Sequence, residues 1–471
     1  MNAKDTKAVR PFGWRDNVGY LCGNIASDLT FTFCSGFLMK FYTDVMDVPA
    51  AIIGIMMMAA QIVDAITDIG MGQICDKSPE TKNGKFRPWI RKVAGPVALS
   101  SFLMYAVWFK GMPMGFKVVW MFVTYILYCS IFYTAIIVPY GSMATAITQD
   151  PTERASIANM RHIGGTLAMT SINVILPLVV YYKDAAGNQQ LSGINTCIAA
   201  GVLSIGAFIL YMVCYHLTIE RVKIPSSYED GMKGFLKALK DTLQNRATIG
   251  IALLVIIYEF GNQGLHGMSA YLYPNYLENV AAQSASGVLE TVVTLLMTLT
   301  VVPLVRKFGK REASALGIGF STVMLFLVYF THTRSAVVWL VFYCLVTAGM
   351  GIWGPVQWAL VGDIVDDTEV RTGTRADGGI YGVFSFARKM GQALSSGVRG
   401  IALSAIGFTT ATAFDTDVTN GIFSIATLLP AFAYILMILV LMTIYPLSKK
   451  RVDRNAKILE ERHAKEAADK Q

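Results

Sequence analysis

The sequence predicts an all-α membrane protein, with twelve transmembrane helices arranged as two six-helix halves. Three observations predict it. Of 471 residues, 54% are hydrophobic and only 15% charged, where a soluble globular domain carries about 25% charged residues. Apolar runs long enough to cross ~30 Å of hydrocarbon recur along the whole length and leave no room for a separate soluble domain. Finally, one set of polar residues returns at matching intervals in the second half of the chain.

The spans read in order as Gly19–Tyr42, Pro49–Ile74, Val93–Phe109, Val118–Ser142, Gly164–Tyr182 and Ile194–Leu217. The second half reads Ala247–Leu272, Val288–Val305, Ala313–Phe330, Ala336–Leu360, Gly378–Ile406 and Gly421–Tyr445. Met1–Trp14 mixes charges with Pro11 and lacks the apolar core of a signal peptide, so the first segment is expected to be a retained span. The connection after span two carries Lys77, Lys82, Lys85, Arg87, Arg91 and Lys92. Basic residues also crowd the connections after spans six and eight, whereas the opposite side shows only Lys110, Lys117, Lys183 and Arg334. By the positive-inside rule both termini are cytoplasmic.

A net charge of +8 is thus explained by these short loops and does not imply a nucleic-acid partner. The seven cysteines (Cys22, Cys34, Cys75, Cys129, Cys197, Cys214, Cys344) are scattered and lie mostly in apolar runs. Neither a disulfide framework nor a zinc site is expected.

The chain divides into residues 1–218 as the N-terminal six-helix half, 219–246 as a cytoplasmic linker, 247–446 as the C-terminal half and 447–471 as a cytoplasmic tail. Within the linker, Met232–Leu243 places Phe235, Leu236, Leu239 and Leu243 at helical spacing, as expected of a helix lying on the membrane. The repeat supports the halves: Pro139 is followed by Asp150, Thr152 and Glu153, and Pro355 at the same distances by Asp366, Thr368 and Glu369. A weaker echo joins "GKFR" (Gly84–Arg87) with "GKR" (Gly309–Arg311). A parallel repeat of two six-span halves is the pattern of the major facilitator fold, in which substrate binds at the midplane between the halves.

Ionisable side chains inside hydrocarbon cost about 2.5–3.5 kcal/mol each, so the few present are the best functional signal. The clearest are Asp28, Asp64, Asp68, Glu259, Arg388 and Lys389. Asp64 and Asp68 stand at i and i+4 on one helix face, with the Thr67 hydroxyl at i+3. Two carboxylates and a hydroxyl make a cation site for Na⁺ or H⁺, since carboxylates so close raise each other's pKa unless a cation joins them. The plainer alternative is that they pair with a lysine only to hold the bundle. Tyr381, Ser385 and Lys389 form a polar stripe on span eleven, and Lys389 lies too deep to snorkel easily. Glu259, in "YEFGNQGLHG", is read equally as a polar contact or as a bundle-pairing carboxylate. Asp28, mid-span in "GNIASDLTFTF", suits sugar hydroxyls, because a carboxylate accepts several charge-assisted hydrogen bonds. Tyr20, Tyr133, Tyr140, Trp353, Trp358 and Tyr381 are available to cover the apolar side of a sugar ring, although most membrane aromatics pack or mark the interface.

At these residues the sequence resembles the glycoside-pentoside-hexuronide cation symporter family, from span one to beyond span eleven. The resemblance rests on "FYTDV" (Phe41–Val45), "DAITD" (Asp64–Asp68), "GKFRPWI" (Gly84–Ile90), "VPYGSMATAIT" (Val138–Thr148), "ERASIANMR" (Glu153–Arg161), "DIVDDTEVRTGTRADGGIY" (Asp363–Tyr381) and "FSFARKMGQA" (Phe384–Ala393). The resemblance implies a cation-binding set of Asp64, Asp68 and Thr134, with Thr67 beside them; Asp64 and Asp68 would be the metal ligands if the ion is Na⁺. It implies a substrate-binding set of Asp28, Arg161 and Lys389, to which Tyr20 and Ser385 are added. Thr67 stands where sodium-using melibiose carriers have asparagine, which leaves Na⁺ or H⁺ open, and Ile137 replaces an expected polar sugar contact. Gly141 stands where galactoside carriers have tryptophan, which brings the motif nearer to glucuronide and xyloside carriers. Only a charged tail follows span twelve, so transport without a phosphotransferase-type regulatory domain is expected.

The expected function is therefore symport of a small glycoside such as a glucuronide or xyloside with Na⁺ or H⁺, by alternating access in a bacterial inner membrane. No cofactor is expected, and the protein should work as a monomer among membrane lipids. A carrier of an amphipathic substrate such as a lysolipid would share the fold, and the loss of the contact at Ile137 could suit it. An intramembrane enzyme is disfavoured, for no Ser/His/Asp set, aspartate-protease pair, HExxH or P-loop occurs. The topology has a direct test. A reporter enzyme active only in the cytoplasm should work when fused after Arg246 or at Gln471, and activity of a fusion near Asn275 instead would reverse the orientation.

Overall fold

A computed structural model describes residues 10–81, 83–222, 245–372 and 377–468. Chain contacts divide the protein into two compact units, one of Met1–Ile52, Val63–Asp184 and Gln190–Gly231, the other of Ile53–Ile62, Ala185–Gln189 and Met232–Gln471. The helices of the first half are α1 (Trp14–Asp44), α2 (Ala50–Lys77), α3 (Arg87–Leu103), α4 (Met114–Ile147), α5 (Pro151–Val180) and α6 (Gly193–Leu217). A short hairpin of β1 (Tyr181–Lys183) and β2 (Gln189–Leu191) joins α5 to α6. The second half comprises α7 (Arg246–Tyr276), α8 (Val280–Phe308), α9 (Lys310–Thr331), α10 (Ala336–Thr372), α11 (Asp377–Ala405) and α12 (Thr416–Thr443), then α13 (Lys449–Ala468).

Each expected span overlaps one of α1–α12. Among the described residues nine of these helices are long and apolar enough to cross a membrane. The other three are α3, with 17 residues, and the more polar α1 and α11. Several bounds change: α5 begins at Pro151, thirteen residues before the expected span, α8 at Val280, eight before, and α10 runs to Thr372, twelve residues past it. The charged tail contains a helix. The amphipathic run Met232–Leu243 and most of the linker lie outside the described residues.

Paired charges fix the ends of the first unit. Asp16, in the first turn of α1, is fully buried and holds Arg10 and Arg221, each through a 2.9 Å contact to Oδ2. It also accepts the Ile219 N–H at 3.2 Å, so the chain leaving α6 is pinned to the start of α1. Next to it, Glu220 accepts the backbone N–H groups of Lys85, Phe86 and Arg87 at 2.8, 2.9 and 2.7 Å. A carboxylate thus caps the positive end of α3, where unsatisfied N–H groups favour an anion. Gly84 makes room for it: its φ is +100°, and a Cβ there would lie 2.5 Å from the Glu220 carboxyl carbon. Gly309, the glycine of the "GKR" echo, has φ +97°.

The stronger repeat is built differently in its two copies, and one residue explains it. In the first, Asp150 caps α5 by accepting from Thr152 and Glu153 N–H groups at 2.8 and 3.0 Å. These two bonds, that from Glu153 foremost, hold the Asp150 carboxyl below the usual aspartate range. Pro151 is the first helical residue. It disfavours helical backbone at Asp150, so α4 must end. The matching residue of the second copy is Asp367, and α10 runs on through Asp366, Thr368 and Glu369 to Thr372. Asp367 is buried and receives Arg451 at 2.9 Å and Asn455 at 2.9 Å from α13.

The Glu220 cap should be measurable in the purified protein. Glu220→Ala strips three N–H groups of their acceptor and should destabilise by about 1–2 kcal/mol, seen as a lower thermal unfolding midpoint in detergent. A midpoint equal to that of the wild type would mean that water replaces the carboxylate at no cost.

Candidate functional site

The first unit gathers three of the expected cation ligands. Asp64 and Asp68 lie one turn apart on α2, and the Thr134 hydroxyl of α4 reaches Asp64 Oδ1 at 2.7 Å and Asp68 Oδ1 at 3.0 Å. Asp64 and Thr134 are buried, 8% and 2% exposed. Thr134 owes its position to a local defect. Residues Leu127–Tyr133 of α4 form a π-helical stretch, and the Thr134 hydroxyl also contacts the carbonyl of Cys129, five residues back, at 3.2 Å. The extra residue of a π turn rotates the next turn about the helix axis, a device common at functional sites. Thr67 is used otherwise: its hydroxyl donates to the Asp64 carbonyl at 3.1 Å within α2. Three oxygens on two helices, with a hydroxyl between two carboxylates, can take up a proton or a small hard cation. Among the described residues no group of three or more His, Cys, Asp or Glu side chains forms a metal cluster.

The expected sugar residues of this unit lie where α1, α4 and α5 meet. Asn24, one turn before Asp28 on α1, donates to Asp28 Oδ2 at 2.6 Å. On α5, Gly164 and Gly165 bring the backbone close: a Cβ on Gly165 would stand 2.8 Å from Asp28 Oδ2, and one on Gly164 would stand 2.9 Å from the Leu21 carbonyl. Asp28 therefore stays partly exposed in a narrow gap that any larger side chain would fill. Arg161, one turn earlier on α5, is exposed, interacts electrostatically with Asp28, and lies over the Tyr140 ring at 5.9 Å.

Tyr20 is placed differently from the expected binding surface. It is 1% exposed, its ring stacks on Tyr140 at 4.5 Å, and its hydroxyl donates to the Tyr140 carbonyl at 3.3 Å, while Tyr140 donates to the Tyr20 carbonyl at 2.5 Å. The pair braces α1 against α4, with Arg161 over the Tyr140 ring, and Tyr20 is buried by it.

In the second unit, Ser385 is exposed and Lys389 partly exposed on α11. Between them Arg388 Nε meets Glu259 Oε1 of α7 at 2.9 Å, and Gln392 donates to the other carboxylate oxygen at 3.1 Å. Of the two readings left open for Glu259, the bundle-pairing one holds. Sequence reasoning misses a second set: Glu290 of α8 accepts the Tyr343 hydroxyl at 2.7 Å and stands 3.5 Å from His266 Nε2 of α7.

Comparison with known proteins adds the lineage. The family described as MFS/sugar transport protein matches residues 19–449. The chain is 30% identical over 445 residues to the glucuronide carrier protein homolog of Escherichia coli K12, covering 93% of each chain. It is 30% identical over 413 residues to the isoprimeverose transporter of Lactiplantibacillus pentosus, covering 87% of this chain and 84% of that one. Among solved structures the crystal structure of the D-xylose-proton symporter shares the fold, with a TM-score of 0.61 at 15% identity over 92% of this chain and 98% of that one. With a family match over nearly its whole length and relatives that are a carrier and a transporter, the protein is a transporter and not an enzyme. The chain belongs to the MFS/sugar transport protein family of the major facilitator fold, among the glycoside-pentoside-hexuronide symporters.

Proposed function

We propose that the protein is a secondary active symporter that couples inward movement of Na⁺ or H⁺ to uptake of a small glycoside such as a glucuronide or xyloside. It would act by alternating access in a bacterial inner membrane with both termini in the cytoplasm. The observation that carries this reading is that Asp64 Oδ1 and Asp68 Oδ1 both meet the one Thr134 hydroxyl, at 2.7 and 3.0 Å. Carboxylates that share one hydroxyl repel each other unless a cation or proton joins them, so the occupied and empty states of the site differ strongly in charge. Coupling needs such a difference, because an ion drives accumulation only through unequal binding to the two facing states. Asp28, Arg161, Ser385 and Lys389 are the residues proposed to meet substrate hydroxyls. The names of the glucuronide carrier and isoprimeverose transporter relatives support a glycoside as cargo.

Asp64→Asn and Asp68→Asn should each abolish ion-driven accumulation in membrane vesicles while leaving substrate exchange measurable. Thr134→Ala should weaken the ion response by about tenfold, the loss of one hydrogen bond to a charged group. Normal accumulation by both aspartate variants would make the pair structural. Repeating the measurement with Na⁺ at fixed pH, and across pH without Na⁺, identifies the ion.

Substrate binding and coupling should separate at Asp28 and Lys389. Asp28→Asn keeps the shape but loses charge-assisted contacts, and should weaken substrate binding by about tenfold or more. Lys389→Ala should instead leave binding measurable and remove the mutual enhancement of ion and substrate, which linkage requires to be reciprocal. Titration of purified variants with and without Na⁺ at two pH values checks both. Full affinity in Asp28→Asn, or intact ion enhancement in Lys389→Ala, would overturn these assignments.

A further inference from the structure

Glu290 faces the inside of the second unit. On α8, Val288, Val292, Leu295 and Leu299 are 45, 47, 62 and 75% exposed, which marks the lipid side of the helix. At 3.6 residues per turn Glu290 lies on the opposite face, together with Gln283, Ser286 and Gly287, all buried. The Glu290 and His266 side chains nevertheless keep 18% and 25% exposure. Inside a bundle this exposure means a wet gap, where membrane-embedded ionisable groups belong.

The gap has unused hydrogen-bonding capacity. Glu290 Oε2 is engaged by the Tyr343 hydroxyl at 2.7 Å. Oε1 faces His266 Nε2 at 3.5 Å, too far for a good direct bond. Two turns away on the same face, Gln283 is 8% exposed and its amide oxygen has no partner among the described residues. On α7, Glu259 and His266 share a stripe at i and i+7; Glu259 is taken up by Arg388 and Gln392, which leaves the His266 end of the stripe facing the gap. A single hydroxyl placed between Glu290 and His266 satisfies both, donating to Oε1 and accepting the Nε2–H.

We propose that Glu290 and His266, braced by Tyr343, form a hydroxyl-recognition subsite for a glycoside within the second unit. The subsite rests on the glycoside-uptake reading. It adds a specificity determinant to that reading, since it rewards a hydroxyl at one position of the substrate and is indifferent elsewhere.

The test uses the full-length purified protein with para-nitrophenyl glucuronide, para-nitrophenyl xyloside and the monodeoxy analogues of each, titrated into wild type, Glu290→Gln, His266→Gln and Tyr343→Phe. Glu290→Gln should weaken binding of the better parent glycoside by about tenfold, and His266→Gln by less. For one monodeoxy analogue, already weak with wild type, neither variant should matter further, because a missing partner cannot be lost twice. Tyr343→Phe keeps the carboxylate while freeing it to move, so it should weaken the same hydroxyl preference, and it serves if Glu290→Gln fails to fold. Unchanged affinities, equal losses across all analogues, or a lost proton uptake with intact glycoside affinity would each overturn the subsite, the last by making the pair a proton site. Failure of the wild type to bind either parent would instead remove the glycoside reading itself.

Discussion

A charge carried into hydrocarbon must find a partner or a wet surface, and that constraint places the interior polar groups of this protein. Leaving a carboxylate at the bilayer centre costs about 2.5–3.5 kcal/mol. Asp16 meets two guanidinium groups, Glu259 meets Arg388 and Gln392, and Glu290 meets Tyr343. Such pairs contribute little net stability, because desolvation offsets their attraction. Their effect is on position, as each ties a chosen turn of one helix to a chosen turn of another. Glu259 fixes α7 against α11 and Glu290 fixes α8 against α10, so these contacts set the register of the second unit.

Close approach is the complementary constraint. Helices in lipid associate without a hydrophobic drive between them and depend on small residues to come near. Gly164 and Gly165 let α5 lie against the Leu21 carbonyl and the Asp28 carboxylate, distances that any Cβ would forbid. The gap around Asp28 is thus defined by what two positions of α5 lack. The π turn in α4 works alongside: a single residue inserted ahead of Thr134 turns its hydroxyl to α2, where it touches both aspartates.

The same physics decides which features are legible in the sequence. Apolar runs locate every one of α1–α12, and the i, i+4 spacing of Asp64 and Asp68 places two carboxylates on one face. The start of α8 is harder to see because Val280–Gly287 mixes serine, alanine and glutamine, and this leaves Glu290 at the margin of the apparent span, where a charge attracts no notice. Helix α13 reads as a charged tail since among its described residues only Asn455 and Leu459 are buried, with Val452 partly so, and its main contact is polar, the buried Asp367. The π turn leaves no trace in composition, for Leu127–Tyr133 is as apolar and aromatic as any helical run. The burial of Tyr20 is equally hidden: its stacking on Tyr140 joins residues 120 positions apart, and periodicity along one helix does not report on its neighbour.

The two halves of the first unit's chemistry share a mechanical element. Thr134 and Tyr140 both belong to α4, fewer than two turns apart, and Tyr140 is locked to Tyr20 by reciprocal hydrogen bonds and a stacked ring pair. Tyr20 lies two turns before Asp28 on α1. On the proposed reading, a change at Asp64, Asp68 and Thr134 that draws Thr134 toward or away from α2 would load the α4 contact with α1, and a substrate held by Asp28 would load it from the other side. Spatial connection alone is not coupling. Here the connecting contacts are a close-packed stack and two backbone carbonyls, which yield less readily than a solvated loop. Close-packed contacts shift between discrete arrangements, so on the proposed symport reading α4 would be the element through which ion and substrate bias one another.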